Sequence, residues 1–293
     1  MTNNWFSVII PTYNRADFIK TSVESVLNQK YQNLELIIID DGSNDDTKLI
    51  VESYSNPKIK YFYQSNQGRC FARNKGIEMA SYDWVCMLDS DDIFLDNHLD
   101  VLNNLIETNL NFNVFATDQT IEGEKRKYFT KEYSNPSYII TFKDFMFTNP
   151  LALNQICFNK KNVSTRFYSK EDIPISEDWL FFRELTLKYS IFKSNIITND
   201  VSIHPLRSVN IIDTEKFVYY NNYSTLIFIN NNDIANDIAN KILANNYLMC
   251  ANILLSNKLK KKGIEYFNKS LKYKNTYFNS LFYKAIFKII LLK

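Results

Sequence analysis

Over the first 118 residues, apolar and polar positions change rhythm at regular intervals. Phe6 to Ile10 is a short, mostly apolar run closed by Pro11, and residues 16–28 then set Ala16, Ile19, Val23, Val26 and Leu27 at helical spacing. Leu34 to Ile39 is apolar and rich in β-branched residues, and ends at Asp40-Asp41-Gly42. The pattern goes on to predict a helix over Asp45 to Tyr54, a strand over Ile59 to Tyr63, a helix over Arg69 to Ala80 and a strand over Trp84 to Leu88. A helix over Asp96 to Thr108 follows, with Leu99, Leu102, Leu105 and Ile106 on one side, then a short strand over Val114 to Ala116. Continuous apolar runs alternating with segments of period 3.6 imply strands covered on both faces. The predicted fold is therefore α/β, with a mostly parallel, Rossmann-like sheet flanked by helices, and ligands of such sheets lie at the carboxyl ends of the strands.

From residue 119 to 214 the rhythm is less regular. A charged segment, Glu122 to Lys131, precedes an aromatic one, Tyr138 to Phe147, and one helix is clear, Trp179 to Tyr189. From Glu215 onward the pattern is helical. The expected division is a catalytic domain over 1–214, itself split near 118, and a helical C-terminal extension over 215–293.

Composition narrows the classes. At 45% apolar and 23% charged residues the chain is globular rather than disordered. Five glycines in 293 residues, and no GxGxxG after the first strand, disfavour a dinucleotide-dependent oxidoreductase. The formal net charge of +2 gives no global case for nucleic acid as a partner. That near-balance conceals segregation: residues 258–293 hold ten Lys and only Glu265, a local +9, leaving −7 for the rest. Cys70, Cys86, Cys157 and Cys250 form no CxxC pair and fit a reducing compartment. The N-terminus carries no signal-like segment, and no apolar run reaches the ~18–20 residues of a membrane span. The expectation is a cytoplasmic protein, or one attached peripherally to a membrane from that side.

Four polar clusters carry candidate chemistry. Pro11-Thr12-Tyr13-Asn14-Arg15 follows the first strand, where a proline ends the strand and leaves polar side chains on the turn. Asp40-Asp41-Gly42-Ser43 suits a turn, with Asn44 or Asp45 capping the next helix, yet two carboxylates at a strand end can also bind a base N–H or ribose hydroxyls. Asp89-Ser90-Asp91-Asp92 is the sharpest signal, with more acid than capping by Asp96 or a neighbour requires. In an extended stretch Asp89 and Asp91 point the same way and repel unless a cation intervenes. Hard oxygen ligands suit Mg2+ or Mn2+. Ser176-Glu177-Asp178 reads as a helix cap with acids at the positive helix end, or as a general base projecting into a cleft. Of two histidines, His98 lies inside a predicted helix and reads as structural or exposed, and His204 ends a strand-like run.

Taken in order, these segments resemble the family-2 glycosyltransferases of GT-A fold. The resemblance runs through Val8 to Arg15, Ile39 to Asp45, Asn66-Gln67-Gly68, Ala72-Arg73-Asn74-Lys75-Gly76-Ile77, the aspartate cluster after Met87-Leu88, and Glu177-Asp178. It implies an inverting hexosyl- or N-acetylhexosaminyl-transferase that uses a nucleotide-sugar, most often UDP-linked. It implies that Asp41 binds uracil beside Pro11, Thr12 and Tyr13, with Arg15, Asp40, Arg73, Asp89 and Ser90 also around the donor. Asp91 becomes the main metal ligand, with Asp89 and His204 beside it. Asp178 becomes the base, with Glu177 as its alternative. Residues 1–118 become the nucleotide half and 119–214 the acceptor half, the acceptor being a glycan or lipid-linked saccharide in cell-surface polysaccharide or glycoconjugate synthesis. The run Pro205 to Asn210 departs from the family's usual segment after the histidine.

A nucleotidyltransferase would also pair carboxylates with a nucleotide, but would want a Gly-rich, basic loop after the first strand, which Pro11 to Arg15 is not. A nucleotide-sugar-binding module without transfer activity is the other alternative. At the C-terminus, Ile264, Phe267 and Leu271 share a helical face, and the last helix, Leu281 to Leu292, sets Lys284 and Lys288 one turn apart among apolar residues. That pattern fits a packed hairpin with solvated lysines, and equally a basic amphipathic surface for anionic lipid.

Overall fold

The computed structural model describes residues 4–124, 136–168, 173–207, 212–273 and 280–291. Most of the charged segment Glu122 to Lys131, the stretch Ser208 to Asn210, and Lys274, Leu292 and Lys293 of the C-terminal region lie outside the described residues. The chain divides into two units. One comprises residues 1–145, 149–172 and 185–204; the other comprises 146–148, 173–184 and 205–293.

The first unit is an α/β sheet. Among the described residues nine strands join in it: β1 (Phe6–Thr12), β2 (Leu34–Asp40), β3 (Ile59–Tyr63), β4 (Trp84–Met87), β5 (Ile93–Phe94), β6 (Val114–Ile121), β7 (Ser137–Ile140), β8 (Ile156–Asn159) and β9 (Ile191–Val201). Their order is β3-β2-β1-β4-β8-β6-β9-β5, with β7 also on β9. The first four strands are parallel, as expected from the alternation. Beyond β4 the sheet becomes mixed: β8 is antiparallel to β4 and β6, β9 is parallel to β6, and β5 and β7 are antiparallel to β9.

The crossovers are α1 (Ala16–Leu27), α2 (Thr47–Glu52), α3 (Arg69–Met79) and α4 (His98–Thr108). Val8, Ile10, Leu36, Ile38 and Cys86 pack with Ile19, Val23 and Val26 of α1 and with Leu99 and Leu102 of α4 in one core. On α3, Gly76 allows the helix to approach β1: a Cβ there would meet Ile9 Cγ2 at 2.3 Å. A short helix, α5 (Phe142–Phe145), follows β7.

Several boundaries differ from the sequence reading: β1 runs through Pro11 to Thr12 instead of ending at the proline, and the helix expected over Trp179 to Tyr189 spans Glu177–Thr186. α2 is shorter than Asp45 to Tyr54, because Asp45 is spent before the helix, accepting from Thr47 N (3.1 Å) and Ala16 N (2.9 Å). Asp96 does not cap α4; it pairs with Lys30 at 3.1 Å, and Asn97 stands at the cap with no side-chain cap bond. β6 runs on to Ile121 through Thr117, Asp118 and Thr120, polar residues that are nonetheless buried. Lys193 on β9 pairs with Asp118 at 3.2 Å, which satisfies that otherwise costly burial.

The second unit is helical: α6 (Glu177–Thr186, most of it), α7 (Thr214–Asn231), α8 (Asn236–Ser256), α9 (Lys260–Ser270) and α10 (Ser280–Leu291). Its centre holds the buried guanidinium of Arg183. That group lies 3.8 Å over the Trp179 ring and donates to Thr225 Oγ1 (3.1 Å) and Met146 O (2.9 Å), and burial pushes its pKa down to about 9. Among the described residues no helix is long and apolar enough to cross a membrane.

Candidate active site

The parallel register aligns three strand ends. Thr12 lies opposite Asp40, Ile9 lies opposite Met87, and Leu88 N extends the β1–β4 ladder to Ile9 O at 3.0 Å. The residues after β1, β2 and β4 therefore emerge at one edge of the sheet, where open α/β sheets bind ligands. Two of the emerging loops are laced together. Asn14, in the left-handed region at φ 50, accepts from Asn44 N (2.8 Å) and gives its own N–H to Ser43 Oγ (2.9 Å). Arg15 N donates to Thr47 Oγ1 at 3.1 Å. Asparagine tolerates this backbone better than most residues.

Asp40 and Asp41 are both buried, and both are already engaged. Asp40 accepts from Tyr61 OH (2.6 Å) and Ser43 N (2.8 Å); burial first, and then this carboxylate, drive the Tyr61 phenol pKa upward. Asp41 accepts from Gln64 Nε2 (2.7 Å), Gln67 N (3.0 Å) and Gly68 N (2.8 Å), so it fixes the loop that leads into α3. A carboxylate has about four acceptor positions, which leaves Asp41 room for about one further donor. Around them Pro11 is half-buried, Thr12 is buried and Tyr13 is exposed.

The acidic turn after β4 is built acid by acid. Asp89 faces Arg73 of α3, with Nη2 3.0 Å from Oδ1, and the Arg73 guanidinium, itself buried, also lies 5.3 Å from the Phe167 ring centre. Ser90 is buried in the turn. Asp91 Oδ2 lies 2.9 Å from His204 Nε2 and 3.8 Å from Arg15 Nε. Phe18 of α1 stacks on the imidazole at 4.1 Å between ring centres. Asp92 accepts from Asn154 Nδ2 and from Ser202 N (3.0 Å), while Asn154 Oδ1 accepts from Asp89 N at 2.9 Å. Asp89 and Asp91 thus take different cationic partners, and Asp92 holds the chain segment that carries His204.

Asn154, Ser202 and Phe18 have no place in the sequence reading. Asn154 sits on a single 3-10 turn, Leu153–Gln155, with no motif around it, and Phe18 is an apolar residue at an ordinary helical position. His98 is the structural histidine: fully buried, stacked on Phe94 at 3.7 Å and with Nδ1 2.7 Å from Thr198 Oγ1.

In the second unit, Glu177 and Asp178 open α6. Glu177 is buried and Asp178 is half-buried, with Oδ1 accepting from Trp179 N at 2.7 Å. Ser176 precedes them at φ 64, its Oγ accepting from Asn221 Nδ2 at 3.1 Å.

The donor set can be tested against a divalent cation. The Asp91 carboxylate is a hard oxygen donor of the kind that suits Mn2+ or Mg2+, and the His204 nitrogen 2.9 Å from it is the softer donor, poorly matched to Mg2+. Among the described residues no three His, Cys, Asp or Glu side chains converge on one point.

The sheet, parallel through its first four strands and carrying an acidic turn at its carboxyl edge, has the GT-A fold of glycosyltransferases. Residues 7–181 match the family model "Glycosyl transferase family 2", and the chain belongs to that family. It is 28% identical over 222 residues to the GalNAc(5)-diNAcBac-PP-undecaprenol beta-1,3-glucosyltransferase of Campylobacter jejuni, covering 69% of each chain. In fold it is similar to S. aureus TarS 1-349 in complex with UDP-GlcNAc, at a TM-score of 0.69 and 19% identity, over 98% of this chain and 90% of that one. It is likewise similar to the mannosyltransferase PcManGT of Pyrobaculum calidifontis in complex with GDP-Man and Mn2+, at a TM-score of 0.61 and 14% identity, over 97% and 86%. The chain spans only 21–31% of the length of the uncharacterized Rickettsia glycosyltransferases it also matches.

Proposed function

We propose that this glycosyltransferase moves a sugar, with inversion, from a UDP-sugar to a hydroxyl of a lipid-linked glycan in surface polysaccharide synthesis, at the cytoplasmic face of a membrane. The observation that carries this reading is the acidic turn Asp89-Ser90-Asp91 at the end of β4, with Arg73, Arg15 and His204 gathered on it. The kinds of donor and acceptor are supported by the relatives: TarS is bound to UDP-GlcNAc, and the Campylobacter enzyme is named for an undecaprenol-linked acceptor.

In this reading Asp41, Pro11, Thr12 and Tyr13 hold the base, and Asp40 and Asp41 keep the pocket's loops in place. Arg73 and Arg15 orient the diphosphate, their guanidinium charge offsetting both its charge and that of the carboxylates they already face. Asp91, with His204 2.9 Å from it, would hold Mn2+ or Mg2+, with Asp89 facing Arg73 instead; the cation when bound would supply charge neutralisation to the departing diphosphate. The acceptor oxygen attacks the anomeric carbon as the bond to the diphosphate breaks. Its proton passes to Asp178, or to Glu177 in the alternative assignment, and such help is worth roughly 10²–10⁴-fold.

The experiment is a screen of nucleotide-sugars for Mn2+-dependent hydrolysis and transfer, with the anomeric configuration of the product read by NMR. Asp178→Asn should keep donor binding and lose most transfer; wild-type turnover would remove Asp178 from the role. Asp91→Ala should abolish metal-dependent UDP binding in calorimetry. Binding without hydrolysis or transfer to any acceptor would favour a binding module instead.

A further inference from the structure

The C-terminal helices carry a surface that the transfer reaction does not use. α10 is packed on one side only. Ala285 is fully buried, Phe282 stacks on Phe267 of α9 at 5.4 Å, and Leu281 O accepts from Asn252 Nδ2 of α8 at 2.8 Å. On the opposite side Tyr283, Phe287, Ile290 and Leu291 are 64%, 63%, 56% and 65% exposed. Positions i, i+4, i+7 and i+8 lie on one helical face, so the four form a continuous apolar ridge. A lone exposed apolar residue is ordinary; a ridge of four on one helix marks a contact surface.

The charge around the ridge indicates what it meets. Lys284 borders it and is exposed. Lys288 folds back onto the end of α8, with Nζ 2.6 Å from Ser256 Oγ and 3.2 Å from Asn252 O. That contact sets the C-terminal half of α10 beside the turn between α8 and α9, which holds Lys258 and leads directly into Lys260, Lys261 and Lys262 at the start of α9. Lys262 is neutralised by Glu215 of α7, whereas Lys258 and Lys261 are exposed, as is Lys272 at the end of α9. Residues 258–293 hold ten lysines against Glu265 alone. Apolar side chains bordered by one sign of charge are the chemistry of a helix lying in an anionic interface. The 12 described residues of α10 extend about 18 Å, which gives the ridge the length of a helix that lies along an interface.

We infer that the Tyr283–Phe287–Ile290–Leu291 face of α10, with Lys284 and the lysines of 258–261, docks the protein on an anionic lipid surface. The inference deepens the lipid-linked-acceptor reading, but rests on α8, α9 and α10 and needs no catalysis. It is tested with the full chain by sedimentation with liposomes of phosphatidylcholine alone and with 30% phosphatidylglycerol, a composition chosen for the assay. The expected result is partition onto the anionic vesicles that weakens as salt is raised and falls about tenfold or more in Phe287→Glu/Ile290→Glu. Lys261→Glu/Lys284→Glu should likewise lose most binding, since each lysine at such a surface is worth roughly fivefold. All four positions are exposed or at a surface turn, and unchanged circular dichroism would verify folding.

Equal binding by wild type and both variants would overturn the inference. So would no binding to either vesicle, or a ridge that instead mediates self-association, seen as a wild-type dimer in sedimentation velocity that Phe287→Glu/Ile290→Glu makes monomeric. Nucleotide-sugar hydrolysis in vesicle-free solution is read separately. If hydrolysis is absent while vesicles are bound, the transfer reading fails and this one stands; intact hydrolysis without vesicle binding gives the reverse.

Discussion

His204 Nε2 lies 2.9 Å from Asp91 Oδ2, with the Phe18 ring stacked on the imidazole at 4.1 Å. Phe18 limits the tilt of the ring and so the direction in which Nε2 faces the carboxylate. Groups that orient a metal ligand commonly matter 10–100-fold to affinity. Phe18→Ala should weaken Mn2+-dependent UDP binding by about tenfold, Phe18→Tyr should restore it, and His204→Ala should weaken it more. Calorimetric titration of UDP with and without Mn2+ separates these effects, because binding without metal should change little.

Asn154 joins two members of the acidic turn, accepting from Asp89 N and donating to Asp92. Asn154→Ala should leave the buried Asp92 carboxylate short of a donor, at a cost of about 1–3 kcal/mol. Urea unfolding should register that loss. Turnover should fall further than stability alone explains, since the turn that carries Asp91 is loosened.

His98 is buried away from any carboxylate among its described contacts, and burial lowers its pKa to about 3. Between that value and the ordinary 6.5, the unfolded chain binds a proton that the folded chain does not. Its contribution is therefore complete above pH 6.5 and is lost as pH falls toward 3, at up to about 1.4 kcal/mol per pH unit. His98→Gln should be less stable at neutral pH yet show a shallower decline between pH 6 and 4, as measured by denaturant midpoints across that range.

Gly76 lets α3 approach β1, and an added Cβ would meet Ile9 Cγ2 at 2.3 Å. Gly76→Ala should destabilise by about 1–3 kcal/mol despite alanine's better helix propensity. Ile9→Val, which removes the more distant Cδ1 of the same side chain, should recover less than the whole loss. A thermal-denaturation cycle of the two single variants and the double variant checks the coupling.

The parallel half of the sheet is legible from sequence because β1, β2 and β4 are buried on both faces and read as mostly apolar runs, interrupted by Ser7 and Glu35. β6 is legible only to Ala116, because Thr117, Asp118 and Thr120 look like a loop until Lys193, 75 residues on, supplies the partner for Asp118. The acidic cluster is legible as an excess of carboxylates, but how the three divide is not. Asp89 goes to Arg73, Asp91 to His204 and Asp92 to Asn154 and Ser202, and those choices depend on contacts between distant segments. Asp40 and Asp41 are legible as site residues by position, whereas their service to the loops around Ser43, Gln64 and Gly68 is visible only once the backbone is placed.

Two bonds accepted by the Asp92 carboxylate reach 62 and 110 residues along the chain, to Asn154 and Ser202. The nucleotide half can form early, from neighbouring strand–helix pairs. The turn bearing Asp91, however, is held by both later segments, the second of them two residues before His204. A nascent chain that has emerged only as far as β6 would own nearly every residue of the nucleotide pocket and still lack these ties. The turn that carries Asp91 thus gains these ties only once synthesis has passed residue 202, long after its own residues have been made.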